Sequence, residues 1–234
     1  MQLFYNPHLE LDATEIDFDK EESRHITKVL RKSEGDILNI SNGKGGMFEA
    51  EIITTNPKKV VAKIIRSEQS APPKYKLHMA VAPTKNIERF EWFLEKATEI
   101  GITEITPILC ERSERKVIKP ERLERIIQSA VKQSLRPYTP LLNPLISFQD
   151  FIKQTHSENR FIAHCEDSEK QALFKVTQPA SESIVLIGPE GDFSVKEIEM
   201  ALTERFIPVT LGESRLRTET AAIIACHTIA LANE

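Results

Sequence analysis

Pro72 and Pro73, set in the polar stretch Glu68–Lys74, constrain what this chain can fold into more than any other feature. Successive prolines suit neither a helix interior nor a central strand, and they stiffen the backbone into an extended connector. The hydrophobic rhythm differs on the two sides of it. Before it, Asp36–Ser41 and Met47–Thr54 alternate apolar and polar residues around Asn42-Gly43-Lys44-Gly45-Gly46, which tolerates positive φ; this predicts a hairpin, and Val60–Ile65 a further strand. These short strands suit a small β-barrel or sandwich. After it, Leu77–Ala82, Ile102–Leu109, Phe161–Cys165, Ile184–Gly188 and Val209–Gly212 read as strands separated by helical spacing. Asn86 and Gly101 bracket one helix, Pro120–Leu135 reads as a second, and Ser194 with Glu197 forms a capping box that opens a third through Phe206. Thr218 is the expected cap of a last helix ending near Ala232. Strands alternating with helices imply a mostly parallel sheet covered on both faces.

The 234 residues, 40% hydrophobic and 28% charged, suffice for one large domain or two small ones and exclude a disordered or collagenous chain. No apolar run approaches the roughly 18 to 20 residues of a membrane span, and Met1–Asp12 does not read as a signal segment, so a cytoplasmic protein without membrane association is expected. Cys110, Cys165 and Cys226 are far apart and outside any C-x-x-C spacing, and no histidine pair stands at ligand spacing, so neither disulfide nor metal is expected. His78, His164 and His227 lie in apolar stretches and read as core residues.

A formal net charge of -4, taken globally, argues against a nucleic-acid partner. The local pattern argues the other way. Ser23–Lys32 holds Arg24, Lys28, Arg31 and Lys32 and no acid; as a helix it sets Arg24, Lys28 and Arg31 on one face and Ile26, Val29 and Leu30 on another. A solvated amphipathic helix is the plain alternative. Cys110–Arg136 carries eight basic residues against four acidic ones. Two such patches suit phosphate contacts with a folded RNA. The last helix is apolar nearly all round (Ala221, Ala222, Ile223, Ile224, Ala225, Cys226, Ile229, Ala230, Leu231), so it is buried on more than one side, in the core or also at a subunit interface.

Two loops sit between a predicted strand and a predicted helix, where open α/β sheets bind ligands: Ile187-Gly188-Pro189-Glu190-Gly191-Asp192-Phe193-Ser194, and Leu211-Gly212 through Ala221. Gly188, Pro189 and Gly191 would serve a plain tight turn equally well. Neither loop has the glycine spacing of a phosphate cradle or of a dinucleotide fingerprint, and Glu190 and Asp192 would repel phosphate. A cationic, hydroxyl-rich ligand such as S-adenosylmethionine suits them better.

Those two segments resemble the signature segments of the small-subunit (16S) ribosomal RNA uridine-N3 methyltransferases of the SPOUT superfamily. The likeness runs from His25 to Ala221. It includes His25 with Val29-Leu30-Arg31 and Gly35-Asp36, Lys85, Lys96-Ala97-Thr98-Glu99-Ile100-Gly101, Arg112-Ser113, and Gln133-Ser134 with Arg136. The resemblance implies an α+β two-domain chain: a PUA-like, RNA-binding β-barrel over residues 1–70 and an α/β methyltransferase domain with a deep trefoil knot over 71–234. It implies S-adenosylmethionine as cofactor, held by Leu186, Ile187, Gly188, Pro189, Glu190, Gly191, Leu211, Gly212, Leu216, Arg217, Thr220 and Ala221. It implies a homodimer acting on small-subunit rRNA, through Arg24, His25, Lys28, Arg31, Lys85, Arg112 and Arg115. The reaction would methylate N3 of a uridine in the decoding region. Arg217 and then Arg136 are the candidates to stabilise charge on the uracil carbonyls, and Glu190 and Glu219 those to orient the ligand or take the proton. The family commonly has glycine at the position of Asp192 and Arg-Ile at Ser214-Arg215, so a role of an arginine at 214 passes here to Arg215. A non-enzymatic RNA-binding or ribosome-assembly factor is the alternative function; it would leave both glycine loops idle.

Overall fold

A computed structural model describes residues 2–154, 157 and 159–234. The chain forms two compact units, residues 1–72 with 131–139 and residues 73–130 with 140–234.

In the first unit, β1 (Leu3–Tyr5), β2 (Glu15–Asp17), β3 (Ile37–Ser41), β4 (Gly46–Asn56) and β5 (Lys59–Gln69) make a five-stranded sheet in the order β1-β3-β4-β5-β2. The predicted hairpin is β3–β4, antiparallel, with Gly43 and Gly45 at φ 70° and 95° in its turn. Its inward residues Leu38, Ile40, Phe48, Ala50 and Ile52 pack with Phe4, Ile16, Phe18 and Ile26 into one apolar cluster. Glu68 and Gln69, read from sequence as connector, belong to β5, where they pair with Met47 and Gly46. Residues 131–139 join this unit by backbone bonds, Gly45 N–H to the Pro137 carbonyl and Thr139 N–H to that of Gly43.

Between β2 and β3 the basic segment departs from the expected helix. A short α1 (Lys20–Arg24) is capped by Asp19 and passes into a π-turn over His25–Val29, with Leu30 N–H bonded to the His25 carbonyl. Arg31 stands outside it at φ 55°. The wider i→i+5 turn rotates Val29 off the buried stripe, so Ile26 is fully buried while Val29 is 64% exposed.

The second unit contains β6 (Lys76–Val81), α2 (Ile87–Ile100), β7 (Glu104–Leu109), the first part of α3 (Pro120–Ser134), β8 (Leu141–Leu142), β9 (Ile146–Ser147), α4 (Phe148–Gln154), β10 (Asn159–Ala163), β11 (Gln171–Ala172), α5 (Leu173–Val176), β12 (Glu182–Ile187), α6 (Val195–Thr203), β13 (Ile207–Thr210) and α7 (Thr218–Leu231). Its strands run β11-β13-β10-β12-β6-β7-β8, with β9 beside β7, and every recorded pairing is parallel. The middle strands read as unbroken apolar runs because helices cover both faces: five of the six β12 residues are buried.

Asn86 caps α2 by accepting Glu88 N–H, and Gly101 ends it at φ 114°. The Ser194–Glu197 capping box opens α6. That helix stops at Thr203, short of the expected Phe206, because Arg205 turns to φ 63° and Phe206 N–H closes on the Ala201 carbonyl. At α7 the cap position is Arg217, without a side-chain bond, and Thr218 is the buried first helical residue. His227, expected in the core, is exposed on α7. Among the described residues no helix is long and apolar enough to cross a membrane, and no group of three His, Cys, Asp or Glu side chains could hold a metal.

Candidate functional site

The carboxyl ends of β13, β10, β12, β6 and β7 lie side by side, and the loops that follow them converge there. Side chains tie these loops together through backbone groups. Glu190 Oε1 accepts the Lys85 N–H at 2.8 Å. Arg115 Nε donates to the Thr84 carbonyl at 2.9 Å and its Nη2 to that of Lys85 at 2.5 Å. Arg112 Nη1 donates to the carbonyls of Gly191 and Phe193 at 2.9 and 3.3 Å. Glu197 Oε1 accepts from Glu111 N–H while its Oε2 accepts from Ser194 N–H, each at 2.8 Å.

Gly188 permits a close approach: a Cβ there would stand 3.1 Å from the Phe193 ring, which is fully buried against Phe148. Asp192 has φ 62°; its Oδ2 accepts Cys165 N–H at 2.7 Å and its Oδ1 accepts Phe193 N–H at 2.9 Å. The departure from glycine at this position therefore links the β12 loop to the end of β10. In the other loop Gly212 takes φ 137°, and the Thr210 hydroxyl donates to its carbonyl at 2.9 Å and accepts its N–H at 3.3 Å.

Two adjoining cavities open between these loops. The narrower, about 300 Å³, is lined by Ile187–Glu190 from one loop and Arg215–Thr218 from the other. The wider, about 680 Å³, is lined by Gly191, Thr210–Leu216, Arg112 and the segment after β10, His164–Asp167 with Lys170. Ala163, Cys165, Asp192, Arg215, Leu216 and Ala221 border both. Of the expected cofactor residues, Leu186 and Thr220 line neither; Leu186 is fully buried in the core behind the site.

Arg217 lines the narrower cavity, as does Glu190. Glu219 lines neither: it is buried in the first turn of α7, its Oε1 3.9 Å from Arg89 Nε and its Oε2 without a hydrogen-bond partner among the described residues. Arg136 belongs to the first unit, with residues 131–139. Arg24, Lys28 and Arg31 are exposed, and half-buried His25 has Nε2 2.8 Å from Gln2 Nε2. Lys85 Nζ pairs with Glu114 at 2.7 Å, a hydrogen bond that raises the ammonium pKa.

The β10 loop is what the sequence reading missed. His164 is 9% exposed, and its Nδ1 is buried with no hydrogen-bond partner among the described residues. Burial, and then the charge of Lys170, push its pKa below the ordinary histidine value, against the opposing pull of Asp192 and Glu166. The usable signal was positional: strand β10 was legible, and the loop leaving its carboxyl end has the same address as the two that were singled out. Cys110, also near these loops, is buried, and burial drives its thiol pKa strongly upward.

Residues 71–230 match the RNA methyltransferase domain model and residues 18–65 the RNA methyltransferase PUA domain model. The chain is 31% identical to the ribosomal RNA small subunit methyltransferase E of Buchnera aphidicola subsp. Acyrthosiphon pisum, over 92% of this chain and 88% of that one. Among solved structures it is similar to a probable rRNA-methyltransferase from Porphyromonas gingivalis, at 40% identity and TM-score 0.93, covering 100% of this chain and 98% of that one. It is also similar to the ribosomal RNA small subunit methyltransferase E from Neisseria gonorrhoeae bound to S-adenosyl methionine, at 27% identity and TM-score 0.85, covering 97% and 95%.

Proposed function

The chain belongs to the RNA methyltransferase family, and on that premise we propose that it methylates N3 of a uridine in the decoding region of small-subunit rRNA, with S-adenosylmethionine as methyl donor. The observation that carries this reading is the convergence of both glycine loops on two adjoining cavities at the carboxyl ends of the parallel strands. A solved relative of similar fold that is bound to S-adenosyl methionine supports it.

The residues fit such a donor. Gly188, Gly191 and Gly212 bring backbone close, Glu190 and Asp192 suit the sulfonium and ammonium charges, and His164 offers an unclaimed ring nitrogen. In this reading Ile187, Gly188, Pro189, Glu190, Gly191, Leu211, Gly212, Leu216, Arg217 and Ala221 contact the donor, while Leu186 and Thr220 support that wall from behind. When bound, S-adenosylmethionine supplies the methyl group: N3 loses its proton, its electron pair forms the new C–N bond, and the pair of the broken S–C bond stays on sulfur. Aligning the reactants in a dry pocket is the protein's main task. Arg217 holds the negative charge that builds on the uracil carbonyls, with Arg136 the second candidate. Glu190, at the cavity, is the carboxylate we favour over Glu219 for orienting the reactants or taking the proton. Arg24, His25, Lys28, Arg31, Lys85, Arg112 and Arg115 bind RNA phosphates; Arg112 and Arg115 do so while their guanidinium groups hold loop carbonyls. We extend the proposal to a barrel over residues 1–70, a deep trefoil knot within 71–234, and a homodimer that covers the apolar α7.

The test is to map 3-methyluridine in rRNA from cells lacking this protein, with and without the wild-type gene restored. The expected result is loss and recovery of the mark at one decoding-region uridine. An unchanged rRNA, from a chain that also binds no S-adenosylmethionine by calorimetry, would point to the non-enzymatic RNA-binding role.

A further inference from the structure

His164 is the side chain that the proposed reaction leaves unused although it stands inside the site. It lies at the carboxyl end of β10 and lines the wider cavity but not the narrower one. Buried polar atoms in folded proteins nearly always have a hydrogen-bond partner. His164 Nδ1 has none among the described residues, although the side chain is about nine-tenths buried. Its surroundings are polar, with Lys170, Glu166 and Asp192 near the ring. Yet Asp192 spends its carboxylate on the backbone N–H groups of Cys165 and Phe193, and Lys170 Nζ donates to the Glu166 carbonyl. An imidazole left unclaimed in a wall of competent partners is one whose partner arrives with a ligand.

Volume and chemistry indicate which ligand. Methyl transfer needs donor and acceptor together in one enclosure, and the narrower cavity, at about 300 Å³, is bounded by the two loops proposed to hold the donor. The adjoining wider cavity then receives the acceptor base, and six residues border both cavities where the reacting atoms must meet. A uracil losing its N3 proton accumulates negative charge on its carbonyl oxygens, and a preorganised donor aimed at such an oxygen acts only as that charge develops. We propose that His164, a residue not otherwise assigned to the site, donates a ring N–H to a carbonyl oxygen of the acceptor uracil in the wider cavity; this rests on the uridine methyltransferase reading above. The depressed pKa keeps the ring neutral near pH 7, so it serves as an N–H donor without adding a third cation beside Lys170 and Arg112. With Nδ1 unclaimed, no hydrogen bond there pins the ring proton, and the tautomer is free to follow the substrate.

The test uses the full chain with small ribosomal subunits from cells lacking it. His164→Leu fills the same space without a donor, and His164→Gln restores an N–H. Loss of one such donor slows chemistry by about 100-fold or more. Single-turnover methylation by the Leu variant is therefore expected to fall by about that factor and the Gln variant to recover about tenfold of it, while S-adenosylmethionine Kd by calorimetry stays within about twofold of wild type. A single-turnover rate unchanged in both variants overturns the proposal. So does a variant that weakens S-adenosylmethionine binding but keeps its rate at saturation, since that places His164 on the donor. A wild-type chain that neither binds S-adenosylmethionine nor methylates the subunit overturns the underlying reading instead. The Gln variant keeps the test decisive where the Leu variant does not fold.

Discussion

Asp192 concentrates several demands on one residue. Its φ of 62° lies in the left-handed region, which glycine enters without strain and a residue with a Cβ does not. Aspartate is among the side chains that tolerate it, because the short carboxylate can bond nearby backbone, and here both oxygens do so, to Phe193 and Cys165. The bond to Cys165 spans 27 residues and ties two walls of the candidate site. Asp192→Gly removes both bonds, each contributing about 0.5–1.5 kcal/mol net, and relieves a left-handed strain of about 1–2 kcal/mol. The two effects nearly cancel, so the thermal midpoint is expected to move by no more than about 3 °C. What is lost is the fixed distance between the loops: S-adenosylmethionine Kd should rise by roughly fivefold or more, with Asn in place of Asp restoring much of it. Calorimetry on the three proteins checks this, and equal affinities in all three would show that the link does not shape the site.

At the scale of the element, the start of α6 shows what a sequence does and does not disclose. The Ser194–Glu197 box is a local pattern, legible because partners three residues apart meet whenever a helix forms there. The same holds for Asn86 and Gly101 around α2. The second bond of Glu197, to Glu111 N–H, joins residues 86 positions apart and depends on β7 and β12 flanking β6 in the sheet. No spacing rule carries that information. Glu197→Ala leaves two N–H groups without their acceptor at a position only 5% exposed. The expected loss is about 2 kcal/mol or more, seen as a lower urea midpoint, and Gln, which keeps one acceptor oxygen, should lose about half as much. A loss below about 0.5 kcal/mol for Ala would mean that water replaces both bonds. The π-turn at His25–Val29 failed to show for a related reason. Helical periodicity assumes a constant turn, and nothing in Arg24–Leu30 marks the extra residue that leaves Val29 in solvent. The His164 loop escaped notice because no glycine or proline punctuates it; its importance comes from where β10 lies, between β13 and β12.

At the scale of the whole molecule, the formal charge of -4 averages a basic 23–32 segment and a basic 110–136 segment with acidic residues elsewhere, including Glu190, Asp192 and Glu213 around the cavities. Global charge thus bears on solubility rather than on the partner. Protonation of the whole chain makes a sharper claim. His78 and His164 both have pKa values below the ordinary 6.5, in each case chiefly from burial. At His78 the opposing pull of Glu104 and Glu182 does not reverse the sign; its Nε2 lies 2.7 Å from the Thr106 hydroxyl. A folded state that holds these rings neutral binds fewer protons than the unfolded chain once pH drops below the unfolded value. Their stabilisation is therefore complete above pH 6.5 and declines as pH falls toward the folded pKa values. Carboxylates titrate mainly near pH 4, so a window from about pH 7.5 to about pH 5.5 isolates the histidines. The thermal midpoint is expected to fall across that window, and a His78→Gln, His164→Gln double variant, which has no proton to take up at either site, should show a shallower slope. If the two proteins lose stability in parallel over that window, these histidines are not the groups responsible, and their burial does not bias the fold against protonation.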